Sequence, residues 1–213
     1  MSDVLTLSFD GPDGAGKTSH IAELSRTLTR QGLRVFNAGG LSRFEEAFPR
    51  LAGRALAAWW FEEAPPETVS RCLLTAAVLR EKYWTAAAPS YDVVLLDRGP
   101  ITVIASCLAL LRMRLNYSLQ MAEDSVTSLN ADVDYQPIDC ASVLLCSASP
   151  SELAHRLGPS LYPHYGRYQS FLYDAIKATS RNWPVSLVID ATDSFDVSAC
   201  VIVAHVLQLM NQT

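Results

Sequence analysis

The chain has 213 residues, a length suited to one domain with a single core. Apolar residues make up 49% and charged residues 18%, enough apolar surface to bury a core and an argument against wholesale disorder. A net charge of −5 leaves no basic surplus to coat a nucleic-acid backbone, so general DNA or RNA binding is disfavoured, while a local phosphate pocket stays open.

Val4–Phe9 (VLTLSF) predicts a strand that stops at Gly11-Pro12. Thr18–Arg30 carries Ile21, Leu24 and Leu28 at helical spacing and closes at Gly32. Leu33–Asn37 predicts a second strand, ended by Gly39-Gly40. Phe44–Phe61 and Glu67–Ala88 predict helices separated by Pro65-Pro66. Asp92–Leu96 (DVVLL) predicts a third strand, followed by Asp97-Arg98-Gly99-Pro100. Ile101–Leu115 and Ser118–Leu129 predict helices, and Ser142–Ser147 a fourth strand. Pro150–Leu157 predicts a helix broken at Gly158-Pro159, and Arg167–Thr179 a further helix. Val185–Asp190 predicts a fifth strand and Val197–Met210 a buried terminal helix.

Five short, nearly continuous apolar strands between helices predict an α/β fold with a parallel sheet covered on both faces. Ligands of such sheets bind beyond the carboxyl ends of the strands. The informative stretches are therefore Asp10–Thr18, Asn37–Leu41, Asp97–Pro100, Ser147–Ser151 and Asp190–Asp193. No apolar run reaches bilayer-spanning length. The N-terminal MSDV has neither the basic flank nor the cleavage site of a signal peptide, which points to the cytoplasm. The five cysteines, Cys72, Cys107, Cys140, Cys146 and Cys200, are scattered with no CxxC pair. They predict reduced, buried thiols rather than a zinc site or a disulfide framework.

Gly11-Pro12-Asp13-Gly14-Ala15-Gly16-Lys17-Thr18 matches the phosphate-loop pattern GxxxxGK[ST], between a predicted strand and a predicted helix. Glycines let backbone N–H groups turn toward phosphate oxygens, and the following helix adds its positive end. Lys17 can reach the β- and γ-phosphates and the Thr18 hydroxyl can ligate Mg²⁺. Gly11, Asp13, Gly14, Ala15, Gly16, Lys17, Thr18 and Ser19 are the candidate nucleotide-binding stretch. The absence of an NKxD-type guanine signature favours ATP over GTP. Asp13 inside the loop is expected to orient an acceptor hydroxyl, or else to cap the turn. Asp97 and Arg98 directly follow the third strand. There the carboxylate can arrange Mg²⁺ and the guanidinium can hold a phosphate.

At this point the sequence resembles the thymidylate kinases, within the wider group of P-loop nucleotide and deoxynucleoside kinases. Phe9–Thr18 is similar to that family's F-x-G-x-D-G-x-G-K-T loop, and Gly39-Gly40 to its R-E-P-G-G-T turn. Asp97-Arg98 stands where the family has D-R-Y, and Asp139 resembles its P-D-L segment. Ser149-Pro150-Ser151-Glu152, leading to Arg156, resembles the D-P-E helix that feeds its lid, and Val188–Ala191 its last strand. The resemblance implies a five-stranded sheet of order 2-3-1-4-5 and a lid near residues 157–168. It also implies Mg²⁺-dependent transfer of the ATP γ-phosphoryl group to a small-molecule acceptor.

The departures fall on the acceptor side. Phe36, Asn37 and Ala38 replace the family's Arg, Glu and Pro, and Gly99 replaces its Tyr. Thr102–Cys107 differ from its S-x-x-A-Y-Q stretch. The family's thymine-stacking Phe is missing from Leu74–Arg80, where only Arg80 can inherit an acceptor-binding role. Polar groups that would read a thymine edge are mostly gone, which argues for a different acceptor. In the lid region Arg156, touching adenine or phosphates, and Arg167 are the candidate cations. His164 is weighed as an exposed loop histidine or a substrate contact, and His20 and His205 as structural. Trp59, Trp60 and Phe61 are read as packing or acceptor stacking, and Arg112 and Arg114 as a solvated face or an acceptor contact.

The expected catalytic group is thus Lys17, Asp13, Asp97 and Arg98, with Thr18 and Asp97 for Mg²⁺ and Asp13, Arg80 and Arg98 for the acceptor. A homodimer is implied by the resemblance, with neither nucleic acid nor membrane as partner. Three functions stay open: a nucleotide or nucleoside kinase, a repurposed kinase for another metabolite hydroxyl, and a non-catalytic nucleotide-binding protein.

Overall fold

The computed structural model describes residues 4–146, 149–157 and 164–212. Its centre is a five-stranded parallel sheet of order β2-β3-β1-β4-β5, the expected order. The strands are β1 (Leu5–Asp10), β2 (Val35–Gly39), β3 (Val93–Asp97), β4 (Ala141–Leu145) and β5 (Val185–Ile189). The helices are α1 (Lys17–Arg30), α2 (Gly53–Ala58), α3 (Pro66–Ala87), α4 (Pro100–Leu115), α5 (Leu119–Val133), α6 (Pro150–Leu157), α7 (Tyr165–Thr179) and α8 (Phe195–Met210).

Each face of the sheet is closed by its own apolar layer. On one side Ile21, Leu24 and Leu28 of α1 and Ile202 and Val206 of α8 pack on Leu7, Phe9, Leu95, Val143 and Ile189. On the other, α3, α4, α5 and α7 form the larger core. Helix α4 is apolar nearly all round, and twelve of its residues are buried, as expected of a helix enclosed on every side. Among the described residues no helix is long and apolar enough to cross a membrane. Every described cysteine is a free thiol, of which Cys107 and Cys140 are buried and Cys200 is exposed.

Three expectations change. The helix predicted over Phe44–Phe61 is instead a 3₁₀ turn (Glu45–Ala47), preceded by another at Leu41–Arg43, then the short α2 and a π-helical turn at Trp59–Glu63. Pro49 and Gly53 break it: proline lacks the N–H for a helical bond, and Gly53 sits at φ +55°. Helix α7 begins at Tyr165, two residues before its expected start. Helix α8 is only half covered: Ser198, Ala199, Ile202 and Val206 face inward, while Val197 and Val201 stay exposed. It closes one face of the sheet, and no other element among the described residues covers its outer side.

The register positions the site. Phe9 lies beside Asp97 across the β1–β3 pairing, so the two strands end together. Gly11 follows at φ +140°, and a Cβ there would stand 2.2 Å from the Leu145 carbonyl oxygen. Gly11→Ala is therefore expected to destabilise the chain by about 3 kcal/mol or more. A urea melt would show a lower midpoint; an unchanged one would contradict the close packing of the loop on β4.

Candidate active site

The phosphate loop turns out of β1 and ends at Gly16, whose left-handed conformation caps α1. Thr102 in α4 holds its start, the Gly11 N–H donating to Thr102 Oγ1 at 3.0 Å. Beneath it the buried Asp10 carboxylate accepts from Ser8 Oγ and Ser142 Oγ, both at 2.9 Å, and from the Thr102 N–H at 2.7 Å. The loop thus rests on a satisfied polar floor that ties β1, β4 and α4 together.

Lys17 is almost fully buried, and its Nζ donates to the carbonyls of Gly11 (2.9 Å) and Pro12 (2.8 Å). Burial pushes its pKa down to about 8, with the Arg98 charge adding to the fall and Asp13, Asp97 and Asp10 opposing it. An ammonium held this way is short of counter-charge and ready for anionic oxygens. Thr18 Oγ1 donates to Asp97 Oδ2 at 2.7 Å, which joins the loop to the end of β3.

Asp13 is the junction of three elements. One carboxylate oxygen pairs with Arg98 Nη2; the other accepts from the Tyr165 hydroxyl (2.8 Å) and from Gln169 Nε2 (3.1 Å), both on α7. Burial alone would raise its pKa. The Arg98 and Lys17 charges and the hydrogen bonds from Tyr165 and Arg98 outweigh that and hold it at about 2. Tyr165 moves the opposite way, upward through burial and the neighbouring carboxylate, so its hydroxyl remains a donor. An aspartate with three donors and so low a pKa is a poor proton acceptor. It is better suited to fix Arg98 and α7 than to take an acceptor hydroxyl's proton.

Arg98 adopts a left-handed backbone at φ +66°. The next residue explains one departure from the family motif. A Cβ at Gly99 would lie 2.3 Å from Ser8 Cβ and 2.4 Å from Asp10 Oδ2, so no larger residue fits. Arg80, expected to face the acceptor, does not. Its side chain is fully buried and Nη1 donates to the backbone carbonyls of Asp97 (2.7 Å) and Arg98 (2.8 Å).

Two connected cavities lie on this framework. A pocket of about 470 Å³ is walled by Gly14, Gly16, Lys17 and Ser19 together with Asp13, Thr18, Asp97, Arg98 and Tyr165. The last five also border a chamber of about 1010 Å³. Its far walls are mostly apolar and aromatic, with Leu41, Phe48, Trp60, Phe61, Leu73, Val103 and Tyr168, and with Arg43 and Arg50 also lining it. The Trp60–Phe61 side is a π-helical turn whose carbonyls are held by Arg114, which donates to Glu62 O at 2.7 Å and also to Ala64 O.

Most expected loop residues come together here, though Gly11 and Ala15 are buried behind the wall rather than in it. Arg156 pairs with Glu152 at 2.8 Å and borders neither cavity. Arg167 and Arg112 lie over the Phe171 ring. His164 meets Glu62 at 3.4 Å, and His20 bridges Gly16 O and Ser198 Oγ, both at 2.9 Å. His205 lies in α8, away from both cavities. Of Trp59 and Trp60, the second lines the chamber and the first does not. Within the expected lid, residues 158–163 lie outside the described residues. Tyr165, Tyr168 and Gln169 were not anticipated. The i, i+4 spacing of Tyr165 and Gln169 puts both on one helix face, but only tertiary packing brings that face to Asp13.

No family model and no curated protein matches the chain. Among solved structures the chain is similar to deoxyadenosine kinase from M. mycoides with bound dATP, at a TM-score of 0.65 and 14% identity, over 95% of this chain and 99% of that one. The same enzyme with dCMP and a flexible dCDP gives a TM-score of 0.65 and 17% identity, over 96% and 100%. At such identities the likeness establishes the fold alone: an α/β domain built on a five-stranded parallel sheet.

Proposed function

We propose that the chain is an ATP-dependent phosphotransferase that acts on a nucleoside-type acceptor, a nucleoside or a nucleoside monophosphate. The supporting observation is continuity: the phosphate pocket opens across Asp13, Thr18, Asp97, Arg98 and Tyr165 into an aromatic-walled chamber with room for a sugar and a planar base. A γ-phosphoryl group cradled by the loop faces an acceptor hydroxyl across those residues. The deoxyadenosine kinase structures hold dATP, dCMP and dCDP, deoxynucleotides that share the nucleoside frame proposed for the acceptor.

In this scheme the Lys17 ammonium exchanges its two carbonyl partners for phosphate oxygens and stabilises charge on the transferring group. Arg98, fixed by Asp13, holds an anionic group at the boundary between the cavities. Catalysis is then mainly positioning and electrostatics, with water excluded from the chamber. The Thr18 hydroxyl and the Asp97 carboxylate are hard oxygen donors at the pocket wall, a pair that suits Mg²⁺. Bound there, Mg²⁺ would neutralise phosphate charge. Among the described residues no cluster of three or more His, Cys, Asp or Glu could hold a metal.

The mostly apolar lining favours a second reading, in which the acceptor is another small molecule bearing a hydroxyl. A bisubstrate probe separates the cases. An adenosine–oligophosphate–nucleoside that fills both cavities is expected to bind at least about a hundredfold tighter than ATP. Affinity equal to that of ATP would exclude a nucleoside from the chamber.

Lys17 also sets a pH dependence. Its free-state pKa of about 8 rises when phosphates pair with it, so ATP binding takes up a proton. Between pH 7 and 9 the free ammonium is lost, and ATP affinity is expected to weaken by roughly tenfold. Calorimetric titration across that range checks it; a flat profile would contradict the Lys17–phosphate contact.

A further inference from the structure

Arg80 sits on the buried stripe of α3 with Leu73, Ala77 and Trp84, a position where an apolar residue would pack without cost. Among the described residues its Nε has no hydrogen-bond partner, and neither has the buried Tyr135 hydroxyl. What the guanidinium does make is a pair of bonds from one nitrogen, Nη1, to two successive backbone carbonyls, those of Asp97 and Arg98. In an extended strand successive carbonyls point to opposite sides. Here the left-handed residue between them, Arg98 at φ +66°, turns the second carbonyl so that both converge on Nη1.

The bonds and the backbone twist therefore form one device. A non-glycine residue holds that conformation only where its surroundings fix it. The side chains that leave this turn are the ones that complete the site: the Asp97 carboxylate toward the Thr18 hydroxyl, and the Arg98 guanidinium toward Asp13. Arg80 borders neither cavity, so it touches no nucleotide and no acceptor.

We propose that Arg80 is a positioning residue: by gripping the carbonyls of Asp97 and Arg98 it locks the left-handed turn and so aims Asp97 at Thr18 and Arg98 at Asp13. Arg80→Met keeps the length of the side chain and removes both bonds. Arg80→Lys keeps a buried cation that can serve as a donor without the guanidinium's rigid geometry.

Hydrogen exchange on the ligand-free protein provides the first test and needs no kinase activity. The Arg98 amide, which donates to the Phe9 carbonyl at 3.1 Å, is expected to exchange at least about tenfold faster in Arg80→Met while amides of β4 and β5 keep their rates. Arg80→Lys should fall between the two proteins. Where Arg80→Met does not fold, Arg80→Lys alone must show the local acceleration. A uniform rise across the sheet, or unchanged exchange at Arg98, overturns the proposal.

The second test rests on the nucleotide reading. ATP affinity measured with EDTA should stay within about twofold of the parent, while the gain on adding Mg²⁺ shrinks by about tenfold. With an acceptor, kcat should fall by about a hundredfold while the acceptor KM changes little. A full Mg²⁺ gain and parental kcat in a folded Arg80→Met would also overturn it. A parent chain that binds no ATP would remove the kinase reading and leave the exchange result to decide on the turn.

Discussion

Lys17→Ala is expected to lower turnover by roughly a thousandfold or more while leaving the protein folded. The ammonium is the cation most deeply built into the phosphate loop, and its two present partners are loop carbonyls that phosphate oxygens can replace. Its retention costs stability. A lysine held at about 8 instead of 10.5 disfavours the native state by about 3 kcal/mol at neutral pH. The sign follows from the depressed value: the penalty is complete below pH 8 and is relieved as pH rises from 8 to 10.5. The parent should therefore gain stability relative to Lys17→Ala over that interval, and at pH 7 the variant should melt no lower than the parent. Urea titrations at pH 7 and 10, beside steady-state rates, check both halves. A variant with near-parental turnover would remove Lys17 from the chemistry.

Arg98→Ala is expected to act on rate and stability together. Turnover should drop by about 10²–10³-fold, because the cation at the boundary of the two cavities is lost. Stability should fall by about 2 kcal/mol, less than the full cost of breaking a buried pair because part of the Arg98 side chain meets solvent. The loss has a pH signature. Asp13 is depressed to about 2, so its stabilising contribution is complete above pH 3.8 and disappears as pH falls through 2. Without Arg98 much of that depression is gone. The stability difference between parent and variant should therefore be largest above pH 4 and shrink toward pH 2. A difference independent of pH would show that the Arg98–Asp13 pair is not its source. An Asp13→Asn, Arg98→Ala double-mutant cycle gives the coupling directly.

The parts of the molecule legible in the sequence are those whose chemistry is local. A β-rich run, a glycine loop and a helix starting at Lys17 follow each other without a break, so the phosphate loop and its neighbours needed no tertiary information. Asp97 and Arg98 were legible because a parallel strand delivers its last residues to the ligand edge.

Arg80 misled for a physical reason. The resemblance placed it by motif, while the spacing of Leu73, Ala77, Arg80 and Trp84 already put it on the buried face of α3. Gly99, a departure in the motif, is required by the approach of Ser8 and Asp10 from the neighbouring strand, which no local pattern reveals. Tyr165 and Gln169 were invisible for the same reason, since α7 reaches Asp13 across 152 and 156 residues of sequence. The stretch Phe44–Phe61, part of which walls the chamber, reads as one helix in sequence because its apolar content is high and its breaks rest on single residues, Pro49 and Gly53.

Transfer of label from [γ-³²P]ATP with Mg²⁺ tests the central claim most directly, using deoxynucleosides, ribonucleosides, their monophosphates and a pool of small hydroxylated metabolites as acceptors, with Lys17→Ala as the blank. The expected result is a labelled nucleotide formed from at least one nucleoside or monophosphate and absent in the blank. Label transferred only to another metabolite would keep the phosphotransferase and change its acceptor. ATP bound with no label transferred to any acceptor would contradict the account.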